Sequence, residues 1–422
     1  MTTKEAGIQV DFGLLIVPTN CKASASKPLT MKFWTKRLHR LITLLCIITT
    51  LLGVLYLKHG CFHNSCEMFP KFNTYHRLML KLPDMDNLAR PLSKDVVVAY
   101  EDLGDDAFSF EMSGNDVIVF LHIQKTGGTI FGRHLVQNLD LDRPCLCHRK
   151  KKRCDCFRPN TKNEQWLFSR YSTGWKCGLH ADWTELTSCV DSALDAYERQ
   201  TLKRRYFYIT ILRDPIHRYL SEFRHVQRGA TWKATRHWCG GRQATEAELP
   251  HCYQGTNWTG VTLEEFMQCP YNPAANRQTR MLADLTLIGC YNSSLLPSKE
   301  RDQLMLASAK TNLAKMAFFG MTEEQQISQY IFEETFGLHF LTPFEQFNTT
   351  LSLATLEELK PSELSKIQDL NALDIELYAY AKQLFNARFK KLLLTDQHFE
   401  KHWRQINDSI ALAPSDYESE EH

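Results

Sequence analysis

Val117-Ile118-Val119-Phe120-Leu121-His122-Ile123-Gln124-Lys125-Thr126-Gly127-Gly128-Thr129-Ile130-Phe131-Gly132-Arg133 decides how this chain is read. Its apolar, β-branched opening predicts a strand, the segment around Lys125 and the two glycines a loop, and the remainder a helix running toward Asn138. Strand, glycine loop and helix start together make an anion site. Glycines let the backbone approach a ligand closely, and their N–H groups join those of the first helical turn in facing it. Lys125 adds a point charge. The order is not that of a Walker A loop, where Lys follows the last Gly, because Lys125 precedes both glycines. Taken alone, the stretch also fits an ordinary strand-turn-helix corner with a solvated lysine.

A second unit of the same kind lies downstream. Tyr206-Phe207-Tyr208-Ile209-Thr210-Ile211-Leu212 is an apolar β-rich run ending in Arg213-Asp214-Pro215. Pro215 suits the first turn of a helix carrying Ser221, Glu222, Phe223 and His225. Arg213 is thus expected at a strand's C-terminal end, where α/β sheets place ligands, with Ser221 about two turns further on. Two such units predict a mostly parallel α/β sheet with one ligand along its C-terminal edge.

Between the units, Cys145-Leu146-Cys147-His148-Arg149-Lys150-Lys151-Lys152-Arg153-Cys154-Asp155-Cys156 sets five consecutive basic residues between paired C-x-C motifs. Zinc favours C-x-x-C spacing, so disulfides pinning the ends of a basic loop are the preferred reading. A solvated charge run is the plain alternative, but cross-linking would hold the like charges together. Trp166 to Trp183 interleaves aromatic residues with Arg170, Lys176 and His180, which suits sugar stacking as well as a buried aromatic cluster around one bonded histidine. Further on, helices are expected over Pro273–Asp284, Ser298–Lys315 and much of Leu353–Trp403. A strand is expected at Ala317–Gly320, then a helix over Thr322–Thr335 with Thr322 and Gln325 as a capping box.

The chain has 422 residues, and its 50 Lys plus Arg nearly balance 48 Asp plus Glu, so a polyanion site must come from local clustering. Leu41 to Leu57 holds no charged residue. Lys32, Lys36, Arg37 and Arg40 precede it and only Lys58 follows closely, so the positive-inside rule leaves the N-terminus cytosolic and the rest lumenal. A cleaved signal peptide has a much shorter leader than the forty residues found here. Five segments follow: a cytosolic tail (1–37), a signal-anchor helix (38–57), a stem (58–115), a folded domain (116–403) and a disordered tail (404–422). Twelve of the cysteines lie beyond the anchor, which suits disulfides of undetermined pairing. Asn257, Asn292, Asn348 and Asn407 head glycosylation sequons there. Under this topology the basic run is not a nuclear signal, and no nucleic-acid partner is expected.

HIQKTGGT at His122–Thr129, the CLCHRKKKRCDC loop, STGWKCGLHADW at Ser172–Trp183 and ITILRDPIHRYLSEFRHVQRGATWK at Ile209–Lys233 closely resemble the heparan-sulfate 6-O-sulfotransferases. The resemblance spans about Val117 to Phe389. It implies a single-pass type II Golgi membrane protein with a sulfotransferase-type, P-loop-like α/β fold, its central mostly parallel sheet flanked by helices. It also implies transfer of a sulfuryl group from 3′-phosphoadenosine 5′-phosphosulfate to the 6-hydroxyl of glucosamine in heparan sulfate, with no metal required. By the same resemblance, His122, Ile123, Gln124, Lys125, Thr126, Gly127, Gly128, Thr129 and Ile130 bind the donor, Gln124 to Thr129 forming the loop around its 5′-phosphosulfate, and Lys125 also neutralises the leaving oxygen. Arg213 and Ser221 hold its 3′-phosphate, and His180 is the catalytic base. Lys151, Lys152, Arg170, Trp175, His180, His225 and Trp232 contact the sugar chain. Tyr219 and Tyr171 depart mildly from the Phe of the common pattern. A lumenal kinase would want a Walker or Gly-rich loop and Mg²⁺ carboxylates, neither of which is evident. A membrane-anchored heparan-binding protein with a relic donor site is the non-enzymatic alternative.

Overall fold

The computed structural model describes residues 96–148, 151–344 and 355–412. The expected anchor, the cytosolic tail, most of the stem, Arg149, Lys150, Asn348 and the acidic end lie outside them. No helix among the described residues is long and apolar enough to cross a membrane.

Strand β2 (Asp116–Leu121) is buried at all six positions and pairs in parallel with β6 (Arg205–Leu212), from Asp116 opposite Arg205 to Leu121 opposite Thr210. The short β5 (Leu167–Phe168) lies on the other side of β2. Two strands share the outer edge of β6: β1 (Val96–Val97) opposite Arg205–Tyr206 and β9 (Phe318–Met321) opposite Ile209–Leu212. Every pairing in this sheet is parallel, which explains the unbroken apolar runs: both faces are covered. Alternation along β6 sends Phe207 toward Phe110 and Phe336, while Tyr208 meets Trp183 of helix α2 (Trp183–Glu198), with ring centroids 5.0 Å apart. Phe131 of α1 (Gly128–Gln137) packs on Phe318 and on Phe332 of α7 (Gln325–Phe336). Arg205 grips Asp116 through two bonds of 2.6 Å at the start of the central pair, fixing its register.

Three expectations change. The stretch 96–115, assigned to the stem, belongs to the folded domain: Val96 and Val97 pair with β6, and Phe108, Phe110 and Met112 pack against the core. Two-residue strands carry too little periodicity to be seen in sequence. The tail expected from 404 is helical to Leu412, in α10 (Phe399–Leu412). Thr322 does not cap the following helix, whose N-cap is Glu324 without a side-chain bond. Its hydroxyl lies instead 2.8 Å from the carbonyl of Thr126 and 2.9 Å from that of Leu212, tying the glycine loop to the end of β6.

All ten cysteines among the described residues are disulfide-bonded: Cys145–Cys156, Cys147–Cys154, Cys177–Cys189, Cys239–Cys290 and Cys252–Cys269. The first two form a ladder across the hairpin β3 (Leu146–Cys147) and β4 (Cys154–Asp155), the cross-linked basic loop expected from its spacing.

Candidate active site

The loop leaving β2 turns through two left-handed residues, Lys125 at φ 65° and Gly127 at φ 76°. Gly127 caps α1 with no side-chain bond, so the first amides of that helix have no side-chain acceptor at the cap and face the loop. The loop is clamped from outside. Thr322 holds the Thr126 carbonyl, and Arg213 Nη1 donates to the Lys125 carbonyl at 3.2 Å. Gly128 is required for space as well, since a Cβ there would lie 2.5 Å from His122 Cδ2. His122 Nδ1 and Gln124 Oε1 are buried with no partner among the described residues. Buried polar atoms are seldom orphaned, so this pair fits a loop that binds a polar ligand. Ile123 and Thr126 are buried, Thr129 is half-buried and Ile130 is exposed.

Arg213 follows β6, and Asp214 and Pro215 open α3 (Pro215–Gln227), the Asp214 carboxylate accepting from the amides of Ile216 and His217. Gln278 on α5 (Arg277–Leu282) brackets Arg213: it accepts from the Arg213 amide at 3.0 Å and donates to its carbonyl at 2.9 Å. Burial lowers the Arg213 pKa, partly offset by Glu323. Ser221 is half-buried on α3, and both residues therefore follow the strand edge that also carries the glycine loop.

His180 completes the centre. Its backbone is left-handed (φ 53°), and its Nδ1 lies 3.2 Å from the carbonyl of His122, at the mouth of the loop. A carbonyl only accepts, so Nδ1 carries the proton and Nε2 keeps the lone pair. Burial pushes the pKa down to about 3; the bond to His122 opposes this, while Arg277 and Arg170 add to it. The ring is thus neutral. Aromatic rings enclose it: Trp175 at 4.6 Å, His122 at 5.0 Å and Trp232 edge-on at 5.3 Å between centroids. Arg170 lies over Trp175 at 5.3 Å, and His225 stands 5.7 Å from Trp232. The basic hairpin docks beside this cage, with the Cys154 amide bonded to the Tyr171 carbonyl and Arg153 to that of Thr173. Lys151 and Lys152 are exposed at its tip.

What holds the cage comes from residues that no local sequence motif marks. Trp232 Nε1 donates at 2.9 Å to Glu222, a buried carboxylate also gripped by Arg218 and Arg277. The two arginines outweigh its burial and hold the Glu222 pKa down at about 2. Helix α5 therefore serves both sides, through Gln278 on Arg213 and Arg277 on Glu222. It is anchored by Asp374, which accepts from the amides of Gln278 and Thr279. The Arg218–Glu222 pair at i, i+4 was a visible signal; its coupling to Trp232 was not.

The sequons differ in setting. Asn257 and Asn292 are exposed, each accepting from the hydroxyl two residues on, at 2.9 and 2.6 Å. Asn407 is exposed on helix α10.

Residues 109–381 match the sulfotransferase family. Heparan-sulfate 6-O-sulfotransferase 1-B of Danio rerio is 54% identical over 333 residues, covering 78% of this chain and 81% of that protein. Heparan-sulfate 6-O-sulfotransferase 1 of Homo sapiens is 59% identical over 283 residues, covering 67% and 68%. Heparan-sulfate 6-O-sulfotransferase 2 of Gallus gallus is 55% identical over 306 residues, covering 72% and 75%.

Proposed function

Since this chain belongs to the sulfotransferase family, and within it to the heparan-sulfate 6-O-sulfotransferases, we propose that it transfers a sulfuryl group from 3′-phosphoadenosine 5′-phosphosulfate to the 6-hydroxyl of glucosamine in heparan sulfate. The observation that carries this reading is the position of His180, hydrogen-bonded to the first residue of the anion loop. A base and an anion cradle thus meet at one point.

The donor supplies the sulfuryl group and a phosphate leaving group. The loop Gln124 to Thr129 holds its 5′-phosphosulfate with backbone amides and the α1 N-terminus, where the orphaned His122 and Gln124 atoms leave polar capacity. Arg213 and Ser221 take the 3′-phosphate. Acceptor sugars stack in the Trp175–Trp232 cage while Arg170, His225, Lys151 and Lys152 meet their acidic groups. His180 Nε2 then removes the 6-hydroxyl proton as that oxygen bonds to sulfur. The bond from sulfur to the bridging oxygen breaks, and Lys125 neutralises the charge left on that oxygen. Positioning and electrostatics suffice for such a displacement.

The type II topology from Leu41–Leu57 and the five disulfides support residence in the Golgi membrane with the domain in the lumen. The purified protein should move label from the sulfonucleotide to desulfated heparan, with disaccharide analysis finding it at the 6-O position. Label at 2-O or 3-O would refute the acceptor assignment, and no transfer at all would refute the enzyme. His180→Ala should abolish transfer yet keep polysaccharide affinity. Comparable activity in wild type and that variant would remove His180 as the base.

A further inference from the structure

Trp175, part of the cage around His180, also lines a separate cleft of about 460 Å³. That volume lies within the ~300–1,000 Å³ typical of small-ligand sites. Its walls come from the Trp175–Leu179 segment, from α2 at Glu185 and Cys189, and from Ala234, Arg236 and Trp238. The walls are tied together. The Cys177–Cys189 disulfide joins the first to α2, and Glu185 accepts from the Trp238 amide at 2.8 Å, joining the third.

The surface of the cleft is apolar and cationic without internal compensation. Trp175 and Trp238 leave 38% and 43% of their surfaces open, far from the usual state of indole rings in a core. Arg236 is exposed and makes no ion pair or hydrogen bond among the described residues, and Lys176 reaches only the Tyr197 ring, 5.7 Å away. Glu185 is the one carboxylate in the lining, and both its oxygens are already engaged, by Trp238 and Asp182. Burial raises its pKa, against the hydrogen bonds from Trp238 and Asp182 that lower it.

We propose that this cleft is a second saccharide subsite, holding an anionic sugar of the acceptor chain beside the residue presented to His180. The sugar ring stacks on Trp175 and Trp238, and its carboxylate or sulfate meets Arg236 and Lys176. Gly178 and Leu179 line the cleft and lead directly into His180, so the chain occupies both places by passing Trp175. The assignment rests on the acceptor reading given above.

The test uses the full chain purified in detergent and two acceptors: a long heparan-derived oligosaccharide, and a minimal disaccharide that fills only the His180 cage. Arg236→Ala and Trp238→Ala alter exposed side chains and should leave the fold intact. For the long acceptor each should raise KM about tenfold, the loss of one good contact, while kcat, donor KM and all constants for the disaccharide stay at wild-type values. An unchanged KM for the long acceptor, or an equal rise for the disaccharide, would overturn the subsite. Calorimetric binding of the long oligosaccharide without donor keeps the two readings apart. If wild type binds it and both variants bind several-fold more weakly, the subsite stands even where turnover fails. Equal binding by wild type and variants ends it, and a core-protein peptide competing for the cleft better than the oligosaccharide would do the same.

Discussion

Gly128 shows how tightly the loop is drawn. A methyl group there meets the His122 ring at 2.5 Å, closer than real side chains approach, and that ring is itself packed 5.5 Å from Phe120 and 5.0 Å from His180. Gly128→Ala must therefore displace His122 at the mouth of the glycine loop. Donor affinity should fall by at least about tenfold, while heparan binding to the basic hairpin is retained; equilibrium binding of the sulfonucleotide and heparin-column elution read the two. His180 makes a second prediction at this scale. It must be neutral to accept a proton, and its pKa in the free protein is lowered from 6.5 to about 3. Activity dependent on that neutral ring persists as pH falls and is lost only when pH approaches the lowered value. The acid limb of kcat/KM should then lie well below pH 6.5; a limb at 6.5 would mean an ordinary, solvated imidazole. Both residues stand in motifs legible in the sequence. The tautomer and the lowered pKa are not, because they come from a carbonyl fifty-eight positions away and from the packing of Trp175 and Trp232.

Elements divide in the same way. The strand-loop-helix units at Val117 and Tyr206 are legible because a buried parallel strand is an unbroken apolar run and Pro215 marks a helix start. The C-x-C spacing announced the hairpin but not its pairing, which is a nested ladder: Cys147–Cys154 inside Cys145–Cys156. This ladder holds like charges together and sets them beside Tyr171 and Thr173. Replacing both Cys147 and Cys154 by Ser should weaken heparan binding several-fold and leave sulfonucleotide affinity unchanged; parallel losses in both would show that the ladder supports the whole domain instead. Helix α5 was only a periodic segment in sequence. Its importance comes from neighbours distant in the chain, Arg213, Glu222 and Asp374, which no local pattern names.

Across the whole molecule, charge is nearly balanced, so recognition of a polyanion rests on where cations gather. Acceptor KM should rise steeply between low salt and physiological ionic strength, as expected for exposed charges; a flat response would count against the hairpin as a clamp. The C-terminal end of the fold carries a different device. His402 on α10 places Nε2 2.6 Å from Glu333 and Nδ1 2.8 Å from Glu334, both on α7, with the His339 and Tyr330 rings beside it and Asp396 bonded to Tyr330. With both nitrogens on carboxylates it is an imidazolium, and those bonds raise its pKa from 6.5 to about 9. Stability from this bridge is fully present below about pH 6.5 and is lost as pH rises through 9. In denaturant melts between pH 6 and 10, His402→Gln should lower the midpoint at the acid end and converge with wild type at the alkaline end; a constant offset would show packing alone. The alternation of apolar runs with loops and helix starts determined the parallel sheet and the glycine loop. These are consequences of local backbone preference and of burial on both faces of a strand. Only the tertiary structure decided that Thr322 serves the loop rather than its own helix, that Val96 and Val97 belong to the sheet, and that Glu222 steadies Trp232 against His180. Each depends on groups far apart in the chain competing for the same hydrogen bonds and space, and that competition is settled only when the chain has closed.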